Sequence, residues 1–301
     1  MGNRHGGQQT FLVAILIAVM GCGGQSGVPP VEITPSEEGY VFTQGADSVL
    51  VYRHRVGEGP HGRAHYVHPL YSLSGEVLTE DSPADHLHQH GIYWAWHQVY
   101  VGSERVGDGW IQEDIAWDVR QVDILEGDSA IRSHVTWVSP HSEPFVEETT
   151  TIRVHPLTDG FRLVDFEIEL TALLDSVSLG GSEDEKGYGG FSARVRLPED
   201  VAFTGPRGAI EPIETDVEAG PWVDISLGAS GIAILQHPSN PGYPQPWILR
   251  RAGSMQNPSW PGREPVVLPK GAPLVLRYRI VVHEGGGVSL DELHERYAAW
   301  N

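Results

Sequence analysis

The clearest pattern along this chain is an alternation of apolar and polar positions at period two. Over residues 161–170, Arg162, Val164, Phe166, Ile168 and Leu170 share one side and Phe161, Leu163, Asp165, Glu167 and Glu169 the other. That is the signature of an antiparallel strand with one buried and one wet face. Residues 130–138 and 145–154 repeat it. Further strands are predicted over 48–53, 64–73, 92–102, 222–227, 231–236, 247–250 and 273–283, with turn signals such as Gly57-Glu58-Gly59-Pro60 between them. Ile111, Ile115, Trp117 and Val119 continue the series. Helical periodicity is confined to the C-terminus, where Ser289-Leu290-Asp291-Glu292 forms a capping box leading into residues 293–300. With 36 Gly, 22 Pro and no detectable repeat, the pattern predicts an all-β fold. We expect one large antiparallel β-sandwich domain over residues 39–301 with a short C-terminal helix.

The N-terminus breaks this pattern. Phe11 to Met20 is an unbroken apolar run, too short to span a bilayer and of the size of a signal-peptide core. Val19-Met20-Gly21-Cys22 resembles the lipobox of bacterial lipoproteins, in which the cysteine becomes the acylated first residue. The expectation is a lipoprotein signal peptide over residues 1–21, a Gly/Ser/Pro-rich flexible tether over 22–38, and export to the bacterial cell envelope with a membrane anchor at Cys22. An ordinary secretory signal with a chance cysteine is the alternative. Cys22 is the only cysteine, so no intramolecular disulfide or thiolate zinc site forms.

Charge changes the list of partners. Lys and Arg total 20 against 40 Asp and Glu, a formal net charge of −20. Such a surface repels phosphate backbones and argues against nucleic acid. Serine nucleophile elbows, Gly-rich phosphate loops and His-Glu-x-x-His motifs are missing, which leaves no positive case for a serine hydrolase, nucleotide enzyme or zincin.

Histidine is concentrated: of 15, eight (His54, His61, His65, His68, His86, His88, His90 and His97) fall within residues 54–97. If extended, Asp85-His86-Leu87-His88-Gln89-His90-Gly91 places its three imidazoles on one side and Leu87 and Gln89 on the other. Three chemistries fit. His86 or His88 can act as acid or base with Asp85 setting the tautomer. All three imidazoles can ligate a divalent metal, although no cofactor is required. A merely histidine-rich surface loop is the third. Trp94 and Trp96, on one face of the following strand, offer flat surfaces to a sugar, or simply pack in the core. Ser182 to Phe191 combines Lys186, one of two lysines, with Tyr188 among glycines, and the proline-rich loop 236–247 presents His237 and Asn240.

Together these stretches resemble the family of bacterial proteins labelled methane oxygenase PmoA, also carried as a domain of unknown function. Asp85 to Gly91 resembles its Asp-His-Pro-His-His-Arg-Gly signature. Lys186-Gly187-Tyr188-Gly189-Gly190-Phe191, Trp222-Val223-Asp224, His237 to Pro241 with Pro246-Trp247, and Tyr278 to His283 also match, so the likeness covers residues 40–300. It implies a sandwich of the galactose-mutarotase supersandwich type, a fold many of whose members act on or bind carbohydrate. It carries site roles to Asp85, His86, His88, Lys186, Tyr188, His237 and Asn240, and it matches Glu148 to an acidic family position. Gln89 and His90 depart from a family histidine and arginine, so a metal site built on His90 would be peculiar to this chain.

The leading expectation is a carbohydrate-active enzyme, with epimerisation, hydrolysis and elimination all open. Asp85, His86, His88 and Glu148 would carry acid–base catalysis, and Lys186, Tyr188, His237 and Asn240 would hold a carbohydrate or glycoside. A lysine in so acidic a chain favours an anionic sugar. The alternatives are a non-catalytic carbohydrate-binding lipoprotein using Trp94 or Trp96, and a metalloenzyme on His86, His88 and His90.

Overall fold

The computed structural model describes residues 1–2, 28–57 and 61–300. Residues 3–21 of the expected signal peptide, with Cys22, lie outside the described residues. In chain order the strands are β1 (Val31–Pro35), β2 (Tyr40–Gln44), β3 (Asp47–Arg53), β4 (Tyr66–Leu70), β5 (Ile92–Ala95), β6 (Gln98–Val101), β7 (Glu104–Gly107), β8 (Ala116–Leu125), β9 (Ala130–Ser139), β10 (Ser142–Val154) and β11 (Phe161–Ala172). They continue as β12 (Val177–Gly180), β13 (Gly190–Ala193), β14 (Ala202–Gly205), β15 (Gly208–Ile210), β16 (Trp222–Leu227), β17 (Ser230–Gln236), β18 (Trp247–Ile248), β19 (Asn257–Pro258), β20 (Val266–Val267) and β21 (Leu274–Glu284). One helix, α1 (Leu290–Ala298), follows.

A nine-stranded sheet in the order β15-β14-β16-β17-β21-β11-β10-β9-β8 faces a six-stranded sheet in the order β1-β2-β3-β4-β5-β13. Pairing within both is antiparallel. Period two decides what lies between them. On β10 and β11, Val146, Ile152, Val154, Val164, Phe166, Ile168 and Leu170 point inward and are fully buried. They meet aromatic side chains of the other sheet, with the Trp94 and Phe166 ring centroids 6.2 Å apart and Phe191 stacked on Tyr278 at 4.4 Å. Each large apolar side chain so enclosed contributes about 1.5–3 kcal/mol. The same alternation turns Glu148 inward, beside Thr150.

The outer face of the nine-stranded sheet is not wet throughout. Leu290, Leu293 and Tyr297 of α1 pack onto Trp222, Leu235 and Val281, with Phe161 and Leu163 at the margin. Asp165, on the face expected to meet water, is buried against Arg279, whose Nε and Nη2 donate to it at 2.5 and 2.8 Å. The helix begins as its capping box predicts, Ser289 Oγ accepting from the Glu292 N–H at 3.4 Å. Among the described residues no helix is long and apolar enough to cross a membrane.

Two expectations about segments need correction. The tether expected over 22–38 contains β1, whose five residues pair in register with β2. The strand expected over 92–102 divides at Trp96 and His97: β5 stays in the six-stranded sheet and β6 enters a four-stranded sheet in the order β20-β12-β6-β7. At the break, the Trp96 carbonyl accepts from the Trp110 N–H (3.1 Å) and the Trp96 indole donates to the Trp260 carbonyl (2.8 Å).

Candidate functional site

The histidine stretch is not extended. The His86 N–H donates to the Pro83 carbonyl (2.9 Å) and the Gln89 N–H to the His86 carbonyl (3.0 Å), which makes two successive turns. Period two therefore does not apply, and the three imidazoles part company. His90 turns inward, Nδ1 meeting Asp81 Oδ1 at 2.6 Å and Nε2 donating to the His61 carbonyl at 2.9 Å. Both of its nitrogens are taken, so it forms no ligand set with His86 and His88. Among the described residues no three His, Cys, Asp or Glu side chains are grouped to hold a metal ion.

One arginine positions the loop. Arg194, buried just after β13, donates from Nε to Glu80 (2.8 Å), from Nη1 to Gln89 Oε1 (2.9 Å) and from Nη2 to both Asp85 oxygens (3.0 and 2.9 Å). Gln89 is thus a structural acceptor for this guanidinium. Gly91 closes the loop at φ +43°, where a Cβ would collide with the Val67 carbonyl.

What the turns present is a cleft of about 440 Å³, within the range of small-molecule sites. His86 and His88 form one wall. His86 Nδ1 lies 3.2 Å from Asp85 Oδ2. Burial acts to raise the Asp85 carboxyl, but hydrogen bonds from Arg194 and His86 outweigh it and hold the group down at about 2. His88 goes the other way from an ordinary imidazole: burial, and then the neighbouring His86, His61, His97 and His90, push it down to about 4. At neutral pH it is an uncharged acceptor.

More of the lining comes from far along the chain. Tyr188 stands edge-on to His97 (4.9 Å) and Trp110 (5.0 Å), with Lys186 beside it at the cleft. Burial, then Asp184 and Asp108, raise the Tyr188 phenol, which keeps its proton as a donor. His97 Nδ1 meets Asp108 Oδ2 at 2.8 Å, while Asp108 Oδ1 accepts from the Trp110 and Ile111 N–H groups (2.9 and 3.2 Å). Ile248, Arg250 and residues 252–255 line the cleft as well. Here Gly253 comes so near the loop that an added Cβ would lie 2.8 Å from Asp85 Oδ2.

Of the residues singled out from sequence, His86, His88, Lys186 and Tyr188 line this cleft, with Asp85 directly behind His86. The rest do not join them. Glu148 is fully buried between the sheets, accepting from His65 Nε2 (2.5 Å), Trp94 Nε1 (2.7 Å), Thr150 Oγ1 (2.6 Å) and Trp137 Nε1 (2.7 Å). Burial works to raise its carboxyl, and His65 with the hydroxyl and indole donors overrides this and lowers it. Surrounded this way it reaches no substrate and is not the opposing base. Trp94 and Trp96 are fully buried, which removes both as sugar platforms.

His237 and Asn240 tie the proline-rich loop to α1 and β21 instead. His237 Nε2 donates to the Trp300 carbonyl (3.0 Å), and Asn240 exchanges bonds with the Arg277 carbonyl (2.8 Å) and N–H (2.7 Å). Sequence reasoning missed Arg250, Trp110 and the 252–255 segment, which no local motif marks. It also passed over His97, although the aromatic strand that precedes it was conspicuous.

A family model matches residues 40–298. The chain belongs to DUF6807, a family of unknown function. Every DUF6807 residue of the cleft described above falls inside that span. No curated protein matches the chain.

Proposed function

We propose that this DUF6807 chain is an exported, lipid-anchored enzyme that acts on carbohydrate by imidazole acid–base chemistry in the cleft. The observation that carries the proposal is convergence: His86, His88, Lys186 and Tyr188, distant in sequence, line one cavity of about 440 Å³. Two imidazoles in unlike surroundings then divide the work. His88, uncharged at neutral pH, takes a proton from the sugar. His86, oriented by the ionised Asp85, returns one. Such paired transfer is common to epimerisation, hydrolysis and elimination. Tyr188 and Lys186 position hydroxyls.

The resemblance to proteins labelled methane oxygenase PmoA contributes the matched positions to this reading, not the oxygenase activity. Likeness to carbohydrate-active supersandwiches adds support by analogy. Export and anchoring rest on the apolar run before Cys22. The test is turnover of a panel of neutral and acidic sugars and glycosides: loss of turnover in His86→Ala or His88→Ala supports the assignment, and turnover unchanged in both sinks it. Cys22→Ala is expected to move the protein from the membrane to the soluble fraction.

A further inference from the structure

We infer that the cleft takes a sugar acid, its carboxylate held by Lys186 and Arg250, a conclusion that rests on reading the cleft as a carbohydrate site. The chain has twice as many acidic as basic residues, 40 against 20, yet no Asp or Glu side chain is among the described residues that line this cavity. Lys186 and Arg250 both do.

Arg250 forms no ion pair among the described residues. Its Nη1 donates to the Ile213 and Leu249 carbonyls (2.8 Å each) and its Nη2 to the Glu214 carbonyl (2.7 Å). Carbonyls hold a guanidinium still without neutralising it. Lys186 Nζ lies 3.8 Å from Asp184 Oδ2, a loose contact, while Asp184 Oδ1 accepts from the Ser182 hydroxyl (2.6 Å) and the Lys186 N–H (3.1 Å).

The acids behind the walls are committed as well. Asp85 is held by Arg194 on both oxygens, and Asp108 by His97, Arg105 and two backbone N–H groups. A ligand carboxylate entering the cleft therefore meets two cationic side chains and no carboxylate on the wall, the pairing that makes charge-assisted hydrogen bonds strong. Ile111, an exposed apolar side chain of the lining, and the half-buried Tyr188 ring supply apolar surface for the C–H face of a ring, which a bare inorganic anion does not use.

The experiment titrates the full chain with matched pairs that differ in the carboxylate, glucuronate against glucose and galacturonate against galactose, by calorimetry at low ionic strength. At least one acid is expected to bind about tenfold or more tighter than its neutral partner. Lys186→Met and Arg250→Met should each weaken that acid by about fivefold or more, while Lys270→Met, whose amine pairs with Asp175 outside the cleft, leaves it unchanged. Because Arg250 also ties down residues 213–214, Arg250→Lys, with a check of thermal unfolding, separates lost charge from lost structure. Neutral sugars binding as well as acids would overturn the substrate class and leave the carbohydrate reading standing. An acid whose binding ignores Lys186→Met, or inorganic phosphate competing as strongly as the sugar acid, would overturn it too. Binding of no sugar at all would remove both.

Discussion

At Glu148 and again at the cleft, an imidazole and a carboxylate meet within hydrogen-bonding reach: His65 Nε2 is 2.5 Å from Glu148 Oε1, and His86 Nδ1 is 3.2 Å from Asp85 Oδ2. Their surroundings differ. Around Glu148 every partner is a donor from the core, and His65 Nδ1 is occupied in turn by the Tyr52 hydroxyl at 2.6 Å. All of these side chains are enclosed, so the network specifies how the two sheets face each other and meets no ligand. At the cleft the carboxylate is secured from behind by Arg194 and the imidazoles face open space. What distinguishes a site from a staple is therefore which side of the pair remains uncommitted, not the residue types involved.

Four measurements would break or sharpen that contrast. The largest effect is expected from His88→Ala, which should lower turnover of a sugar substrate by about 10²–10⁴. Urea unfolding should show the fold little changed, by about 1 kcal/mol or less. Next is Glu148→Ala, which strips the acceptor from four buried donors. It should destabilise the fold by roughly 3–5 kcal/mol in urea unfolding. A stable but inactive Glu148→Ala protein would instead make the buried network catalytic and erase the contrast.

Tyr52→Phe, which leaves one buried imidazole nitrogen without its partner, should cost about 1–3 kcal/mol with ligand binding intact. The smallest effect is in pH dependence. His88 is held at about 4 when folded against 6.5 for a free imidazole. The unfolded chain therefore binds its proton first as pH falls. Stability from this group is complete above about pH 6.5 and declines toward pH 4. The slope of unfolding free energy against pH over that window should be shallower in His88→Gln. Partial exposure of His88 keeps the change modest.

Much of the sandwich was legible because period two reports burial directly. The predicted 222–227 coincides with β16, and 130–138, 145–154 and 161–170 fall within or nearly coincide with β9, β10 and β11. The same alternation puts Glu148 on the face of Val146 and Ile152, and therefore inward. The covering of β11 by α1 was not legible, since a strand's outer face looks the same whether water or a helix lies over it.

The sequence by itself determined the strand-rich alternation, the capped C-terminal helix, and the residue types at the cleft, including His86, His88, Lys186 and Tyr188. Only the tertiary structure decided which of them meet. The turns at 83–89 cancel the alternation that an extended chain would impose, so His90 separates from its neighbours. Trp94 and Glu148 pass to the core because strand pairing turns them there, and Trp96, at the break between β5 and β6, is buried with its indole donating to the Trp260 carbonyl. Arg250 reaches the cleft from beyond residue 240 through chain reversals that no local spacing encodes, and with it comes the positive charge on the wall of an otherwise acidic protein.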